Sequence, residues 1–449
     1  MRLQKEVREG LGKDGKEALD KHLKKLGTLK KVTDELHGNK AGSEDMNEKV
    51  KHALMGNPDL LQGDMILTES HADELIEEAK IKLDAKKHGK NITDKSVVEK
   101  LKKNRALMKN LRLKWEFPIP YFSENVDAKK IDDALKDMEA NSCLSFKRTS
   151  KFSDKSGLRY YPGVGCYSLI GRAFPNKPQD VSIAAGCDYM GIIQHETLHA
   201  LGFMHEQCRP DRDQFLSINL NNVAPNQRFN YQIVNSDKTE TFGIPYNYGS
   251  AMQYDKKAFS NNNQVTMITK NKLYQDTIGN KARMAFLDYK MLNKALCSDK
   301  CKGGVKCSNG GYEDPRKCGT CKCPYLLTGP KCTDYIKNPS NCDGKNYYKL
   351  SNQPVSIKPK GLTSCVYAIE AGPGKKVKLT FGKANQWSRG EFCYADDALE
   401  VQYLNDKSLT GVLYCGSPKG SITSEGTLML VKYTGRTQYC FNELTFTAV

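Results

Sequence analysis

Beyond residue 88, every histidine of this chain falls in the eleven residues from His195 to His205, and that clustering constrains the fold more than any other feature. The run reads His195-Glu196-Thr197-Leu198-His199-Ala200-Leu201-Gly202-Phe203-Met204-His205-Glu206. His195 and His199 are four residues apart, so on a helix they share a face. Gly202 permits a sharp turn that can bring His205 back toward the first two. Neutral imidazole nitrogens are good zinc ligands, and three protein ligands plus a water make an open site. Glu196 stands beside that point, where a carboxylate can take a proton from a water. A lone buried histidine is usually a satisfied core group. Three in this order, with Glu and Gly interposed, are hard to obtain by accident.

A bare H-E-x-x-H is a moderate signal, whereas H-E-x-x-H-x-x-G-x-x-H is the extended form found in metzincin zinc proteases. The run continues Gln207-Cys208-Arg209-Pro210-Asp211-Arg212-Asp213. On those residues the chain resembles the astacin family of zinc endopeptidases, whose pattern H-E-x-x-H-x-x-G-F-x-H-E-x-x-R-x-D-R-D is matched at every fixed position. Tyr248-Gly249-Ser250-Ala251-Met252-Gln253-Tyr254 looks like the family's Met-turn. The resemblance implies one Zn2+ per chain on His195, His199 and His205, with Glu196 as general base. It also implies Met252 beneath the metal and Tyr254 as a movable extra ligand. Gln253 stands where the family has a histidine that does not bind zinc. The implied catalytic domain is of α+β type, split by a cleft with the metal at its floor and substrate lying extended along an edge strand.

The first 105 residues contain no cysteine and hold 23 Lys and Arg against 20 Asp and Glu, so most of the formal net charge of +17 lies beyond them. Val7, Leu11, Ala18, Leu19, Leu23, Leu26 and Leu29 recur at helical spacing, and a second helix is expected over His71–Lys87. Between them, Leu61-Gln62-Gly63-Asp64 resembles the astacin prosegment signature F-x-G-D, with Leu61 where Phe is usual. The resemblance makes Asp64 the zinc switch of a zymogen. Alone, a Gly-Asp pair would most often be a turn. The basic run Lys102-Lys103-Asn104-Arg105 looks like a maturation site, with cleavage between Arg105 and Ala106 by a trypsin-like protease. The new terminus at Ala106 would then meet Glu206, as in the family.

A helix is expected over Val126–Ala140, with Ile131, Leu135 and Met138 on one face. Strands are expected around Cys143–Arg148, Gly165–Ile170 and Val181–Ala185, and the active-site helix over Asp188–Leu201. The family implies the bridges Cys143–Cys297 and Cys166–Cys187. Cys301, Cys307, Cys318, Cys321, Cys323 and Cys332 resemble an EGF-like module, which implies pairs Cys301–Cys318, Cys307–Cys321 and Cys323–Cys332. So short a segment depends on its bridges. A zinc ribbon on Cys318, Cys321 and Cys323 is the rival reading. Residues 342–449 alternate apolar and polar positions in short runs, the signal of an all-β sandwich. They resemble a CUB domain with pairs Cys342–Cys365 and Cys393–Cys415. Cys208 and Cys440 remain over, to pair with each other, stay free or bond another chain.

The expected organisation is thus multidomain: a partly helical prosegment over 1–105, a zinc protease domain over 106–297, an EGF-like module over 298–333 and a CUB-like domain over 342–449. At 449 residues, length alone suggests about three domains. Sixteen cysteines argue for an oxidising compartment. The N-terminus has no apolar stretch of signal-peptide type, so a secreted protein is expected whose signal segment is missing from this numbering. No run of eighteen apolar residues occurs, so no membrane span is expected. No nucleic-acid motif accompanies the basic charge. Expected partners are protein or peptide substrates, among them extracellular matrix. The alternative is a non-catalytic matrix- or receptor-binding protein acting through its EGF-like and CUB-like modules.

Overall fold

The computed structural model describes residues 8–9, 11–37, 57, 60–91, 94–100, 114–150, 155–234 and 240–449; the expected cleavage point at Arg105 and Ala106 lies outside them. The chain forms two compact units. The first comprises Met1–Glu139, Leu144–Glu240 and Lys257–Ile268, and the second Ala140–Cys143, Thr241–Lys256 and Thr269–Val449.

The first unit is built on a six-stranded sheet. Its strands are β1 (Met65–Ile66), β2 (Ile119–Ser123), β3 (Phe146–Arg148), β4 (Gly157–Tyr161), β5 (Cys166–Leu169) and β6 (Pro178–Ile183), in the order β1-β5-β6-β4-β2-β3. Every pairing is parallel except β5 with β6. Parallel neighbours need a crossover, and helix α3 (Ala128–Asn141) supplies the one between β2 and β3, burying Ile131, Ala134, Leu135 and Met138. β1 has only two residues, and β4, between two parallel neighbours, is buried at four of its five positions, so neither shows an alternation that the sequence could betray.

Two N-terminal helices pack on this sheet. Helix α1 runs Lys13–His37 and α2 runs Glu69–Lys87, the latter capped by Thr68, whose side chain accepts from the His71 N–H. Leu26 and Leu29 of α1 join Ala72, Ile76 and Ala79 of α2 around Leu61, Met65 and Leu67. Leu11 and Leu19 join Leu60 and Ile66 against Tyr161, Tyr167 and Leu169. At the start of α1 the Gly12 N–H donates to Asp180 Oδ2 at 3.1 Å, and Lys177 pairs with Asp14. Burial pushes the Asp180 carboxyl up, opposed by Arg159, whose Nη1 donates to Asp180 Oδ1 at 2.8 Å.

The second unit contains α5 (Phe286–Leu296), a disulfide-rich segment and two β-sheets. The structure joins Cys301–Cys318, Cys307–Cys321 and Cys323–Cys332, so the zinc-ribbon reading of these cysteines is wrong. Beyond them, a five-stranded sheet (Tyr347–Lys349, Ser364–Glu370, Leu428–Thr434, Leu399–Gln402, Val412–Tyr414) and a four-stranded one (Val355–Ile357, Phe441–Ala448, Val377–Asn385, Ser421–Thr423) form the sandwich. Bridges Cys342–Cys365 and Cys393–Cys415 brace it. Asp397 is buried and ion-paired to Arg436 at 2.8 Å and to Arg389. Cys143 is bonded to Cys297, and in the first unit Cys166 to Cys187. Cys208 and Cys440 are buried free thiols, so they do not pair with each other.

The turn through Met252 hangs on one carboxylate of α5. Asp288 accepts from Ser250 Oγ at 2.6 Å, from the Ala251 N–H at 2.9 Å and from the Ala285 N–H at 2.8 Å. Burial raises its pKa, against the lowering effect of the Ser250 hydrogen bond. Asp288→Ala strands three donors, and the cost expected is about 2–3 kcal/mol, seen as a lower thermal midpoint. An unchanged midpoint would show that the turn holds without this acceptor.

Candidate metal centre

The local chemistry of helix α4 (Met190–Ala200) shapes the site. The helix is buried along its length from Gly191 to Ala200 and is preceded by Cys187, tied to β5. It stops in a Schellman motif. The Gly202 N–H donates to His199 O at 2.8 Å and the Phe203 N–H to Leu198 O at 2.9 Å, with Gly202 at φ 98°. That reversal carries the chain back, so that His205 meets the face bearing His195 and His199. It also aims the Phe203 carbonyl at the ring of His199, whose Nδ1 lies 2.8 Å away. The expected helix over Asp188–Leu201 therefore starts two residues late, at Met190, and ends one early.

The three Nε2 atoms converge. His195 and His199 are 3.0 Å apart, His199 and His205 3.2 Å, and His195 and His205 3.2 Å. Asp64 closes the group: its Oδ2 lies 3.2 Å from His195 Nε2 and 3.1 Å from His205 Nε2, and its Oδ1 3.5 Å from His199 Nε2. All four side chains are fully buried. A tetrahedral ion with bonds of about 2.0–2.1 Å sets its ligands about 3.3–3.4 Å apart, so three nitrogens 3.0–3.2 Å from one another with a carboxylate against them are spaced as a zinc site is. The tautomers agree. His199 Nδ1 faces the Phe203 carbonyl and His205 Nδ1 faces Gln62 Oε1 at 2.7 Å, so both Nδ1 atoms donate and both Nε2 lone pairs point inward. Inward lone pairs repel unless a cation lies between them.

Burial would raise the Asp64 pKa, and it is positive charge among the facing nitrogens, whether from protonated His205 and His199 or from a cation bound in their place, that holds it well below the usual carboxylate range. Asp64 is fully buried among the three imidazole rings. It is delivered by a tight turn in which Gln62 (φ 51°) and Gly63 (φ 87°) both lie in the left-handed region.

Glu196 follows His195 on α4 and is fully buried. Glu206 opens the short turn after His205, its Oε1 3.2 Å from Arg209 Nη1. In the second unit, Met252 and Tyr254 are buried, and Lys281 lies over the Tyr254 ring at 5.6 Å from its centroid. Gln253 accepts from the Tyr246 hydroxyl and donates Nε2 to Tyr254 O at 3.0 Å, so the substituted position is a satisfied core amide. The sequence reading missed Gln62 and its support Asn230, whose Oδ1 accepts from the Gln62 N–H at 2.8 Å. It also missed the bond from Trp115 Nε1 to Ala200 O, at 2.7 Å, which pins the end of α4.

Known proteins resemble this chain in sequence. Residues 107–297 match the sequence profile of the Astacin peptidase family. Zinc metalloproteinase nas-34 of Caenorhabditis elegans is 33% identical over 397 residues, covering 87% of this chain and 64% of that protein. Zinc metalloproteinase dpy-31 of the same nematode is 30% identical over 452 residues, covering 95% of this chain and 73% of that protein. A solved structure, high choriolytic enzyme 1 (a hatching enzyme zinc-protease from Oryzias latipes), is 32% identical, covering 39% of this chain and 86% of that one, with a TM-score of 0.35. The chain spans 64% of the length of nas-34 and 52% of that of nas-37, also from Caenorhabditis elegans.

Proposed function

This chain belongs to the astacin family of zinc peptidases, and from that premise we propose that it is a secreted zinc endopeptidase held latent by its own N-terminal segment. The observation that carries the reading is the Asp64 carboxylate seated among three histidine Nε2 atoms, 131 residues or more away in sequence. Held by His195, His199 and His205, zinc supplies Lewis-acid polarisation of a peptide carbonyl and acidifies water. Glu196, whose carboxylate is carried on the same helix as two of the ligands, takes a proton from the attacking water and returns it to the leaving amine. Tyr254 donates its hydroxyl to the oxyanion that develops on the carbonyl. While Asp64 occupies the ligand set, the position that water needs is filled.

The segment 1–105 is the prosegment, 106–297 the peptidase domain, 298–333 an EGF-like module and 342–449 a CUB-like domain. Seven disulfides support an extracellular setting, and among the described residues no helix is long and apolar enough to cross a membrane. Proteins are the substrate class, extracellular matrix among them. A trypsin-like protease cuts after Arg105, freeing the Ala106 amine to pair with Glu206.

Metal analysis combined with cleavage of a generic protein, before and after trypsin treatment, tests the reading. Zinc at one per chain with activity appearing on treatment supports it. A chain that binds no zinc, or binds it and never cleaves, returns the case to a matrix-binding protein. Tyr254→Phe is expected to lower kcat by about 10-fold or more with KM unchanged, because its bond forms only in the transition state. A raised KM with unchanged kcat contradicts that role.

A further inference from the structure

We propose that Gln62 is a metal-positioning residue: the N-terminal segment supplies both a carboxylate to the zinc site and the hydrogen-bond acceptor that orients His205, so that the uncleaved chain binds zinc more tightly for its presence. The proposal rests on the reading of the three histidines as a zinc site.

The geometry is a buried relay. Asn230 Nδ2 donates to Gln227 Oε1 at 2.8 Å, which fixes the Asn230 amide. Asn230 Oδ1 then accepts from the Gln62 N–H at 2.8 Å, and Gln62 Oε1 sits 2.7 Å from His205 Nδ1. Gln227, Asn230, Gln62 and His205 are each at most 3% exposed. An amide oxygen can only accept, so it selects the tautomer of His205 with hydrogen on Nδ1 and the lone pair on Nε2, the form a metal requires.

The backbone at Gln62 supports a specific role. At φ 51° a non-glycine residue is strained. Glycine would relieve that strain, yet here it stands only at the next position, Gly63. The side chain at 62 therefore has a function that its backbone geometry disfavours. His199 has an equivalent partner within its own domain, the Phe203 carbonyl. His205 receives this one from a segment 143 residues upstream. Loss of such outer partners costs about 10–100-fold in metal affinity.

The test measures zinc affinity of uncleaved protein by competition with a chromophoric chelator, together with the thermal midpoint of the metal-free form. Gln62→Gly removes the acceptor while relieving the backbone. It is expected to leave the metal-free midpoint equal or higher and to weaken zinc binding about 10–100-fold. Gln62→Glu keeps an Oε acceptor and is expected to hold affinity at or above wild type. Repeating both in an Asp64→Asn background separates the acceptor from the carboxylate; the Gln62→Gly loss should persist there. Equal affinity of wild type and Gln62→Gly overturns the proposal, as does a loss that Gln62→Glu shares. A wild-type chain that binds no zinc at all instead overturns the reading of the site.

Discussion

Protein lacking residues 1–105 and carrying Glu196→Gln will hold zinc at full occupancy and turn over peptide at least ~10²-fold more slowly than its parent, the scale of a lost general base. Glutamine has the shape of glutamate, so the buried position on α4 keeps its packing and the neighbouring ligands keep their directions. What it lacks is a basic oxygen. Metal content by emission spectroscopy and turnover of a fluorogenic peptide read the two halves separately. Parental turnover would place the base elsewhere, and loss of zinc would make Glu196 a structural residue.

The second large effect concerns latency. In uncleaved protein, Asp64→Ala empties one corner of the ligand tetrahedron. If Asp64 holds the open arrangement below ~1%, its removal can raise activity by up to ~10². A second inhibitory element survives the substitution. β1 stays paired to β5, in register Met65 with Ser168 and Ile66 with Leu169, covering the sheet edge. Leu60 and Ile66 stay buried against Tyr161, Tyr167 and Leu169, each stabilising the docked segment by about 1.5–3 kcal/mol. The expected outcome is a gain of ~10-fold or more on a short peptide, still ~10-fold or more below the trimmed enzyme. Equal latency of wild type and Asp64→Ala would show that coverage of β5 alone inhibits.

The sequence made the centre of this site legible because its chemistry is local. His195, Glu196, His199, Gly202 and His205 lie in one helix and the turn that ends it, where spacing alone dictates which side chains meet. Asp64 was reachable only through resemblance, since a Gly-Asp pair carries no long-range information. Gln62 and Asn230 were out of reach, because they meet across 168 residues and each is an ordinary polar residue until folded. The same division holds for the fold. α2 and α3 announce themselves by periodicity, while β1 is too short to do so and β4 is buried at nearly every position. β2 buries only Ile119 and Tyr121, and the proline between them argues against a strand.

The Gly12 N–H at the head of α1 takes its acceptor, Asp180, from the sheet rather than from its own sequence, and the leucine stripe of α1 is buried only against partners outside it. A helix whose cap and apolar partners belong to another element draws most of its stability from that contact. Those partners are of two kinds: Leu26 and Leu29 meet α2 and the Leu61–Leu67 stretch of the same N-terminal segment, whereas Leu11, Leu19 and the Gly12 N–H meet the sheet side. On the proposed reading, a cut in the connecting chain would leave α1 packed on α2, bare Leu11, Leu19, Leu60 and Ile66 to water, and make return a bimolecular step. The proposed cut would thus turn a tethered contact into a concentration-dependent one, so that dilution alone would favour the uncovered site.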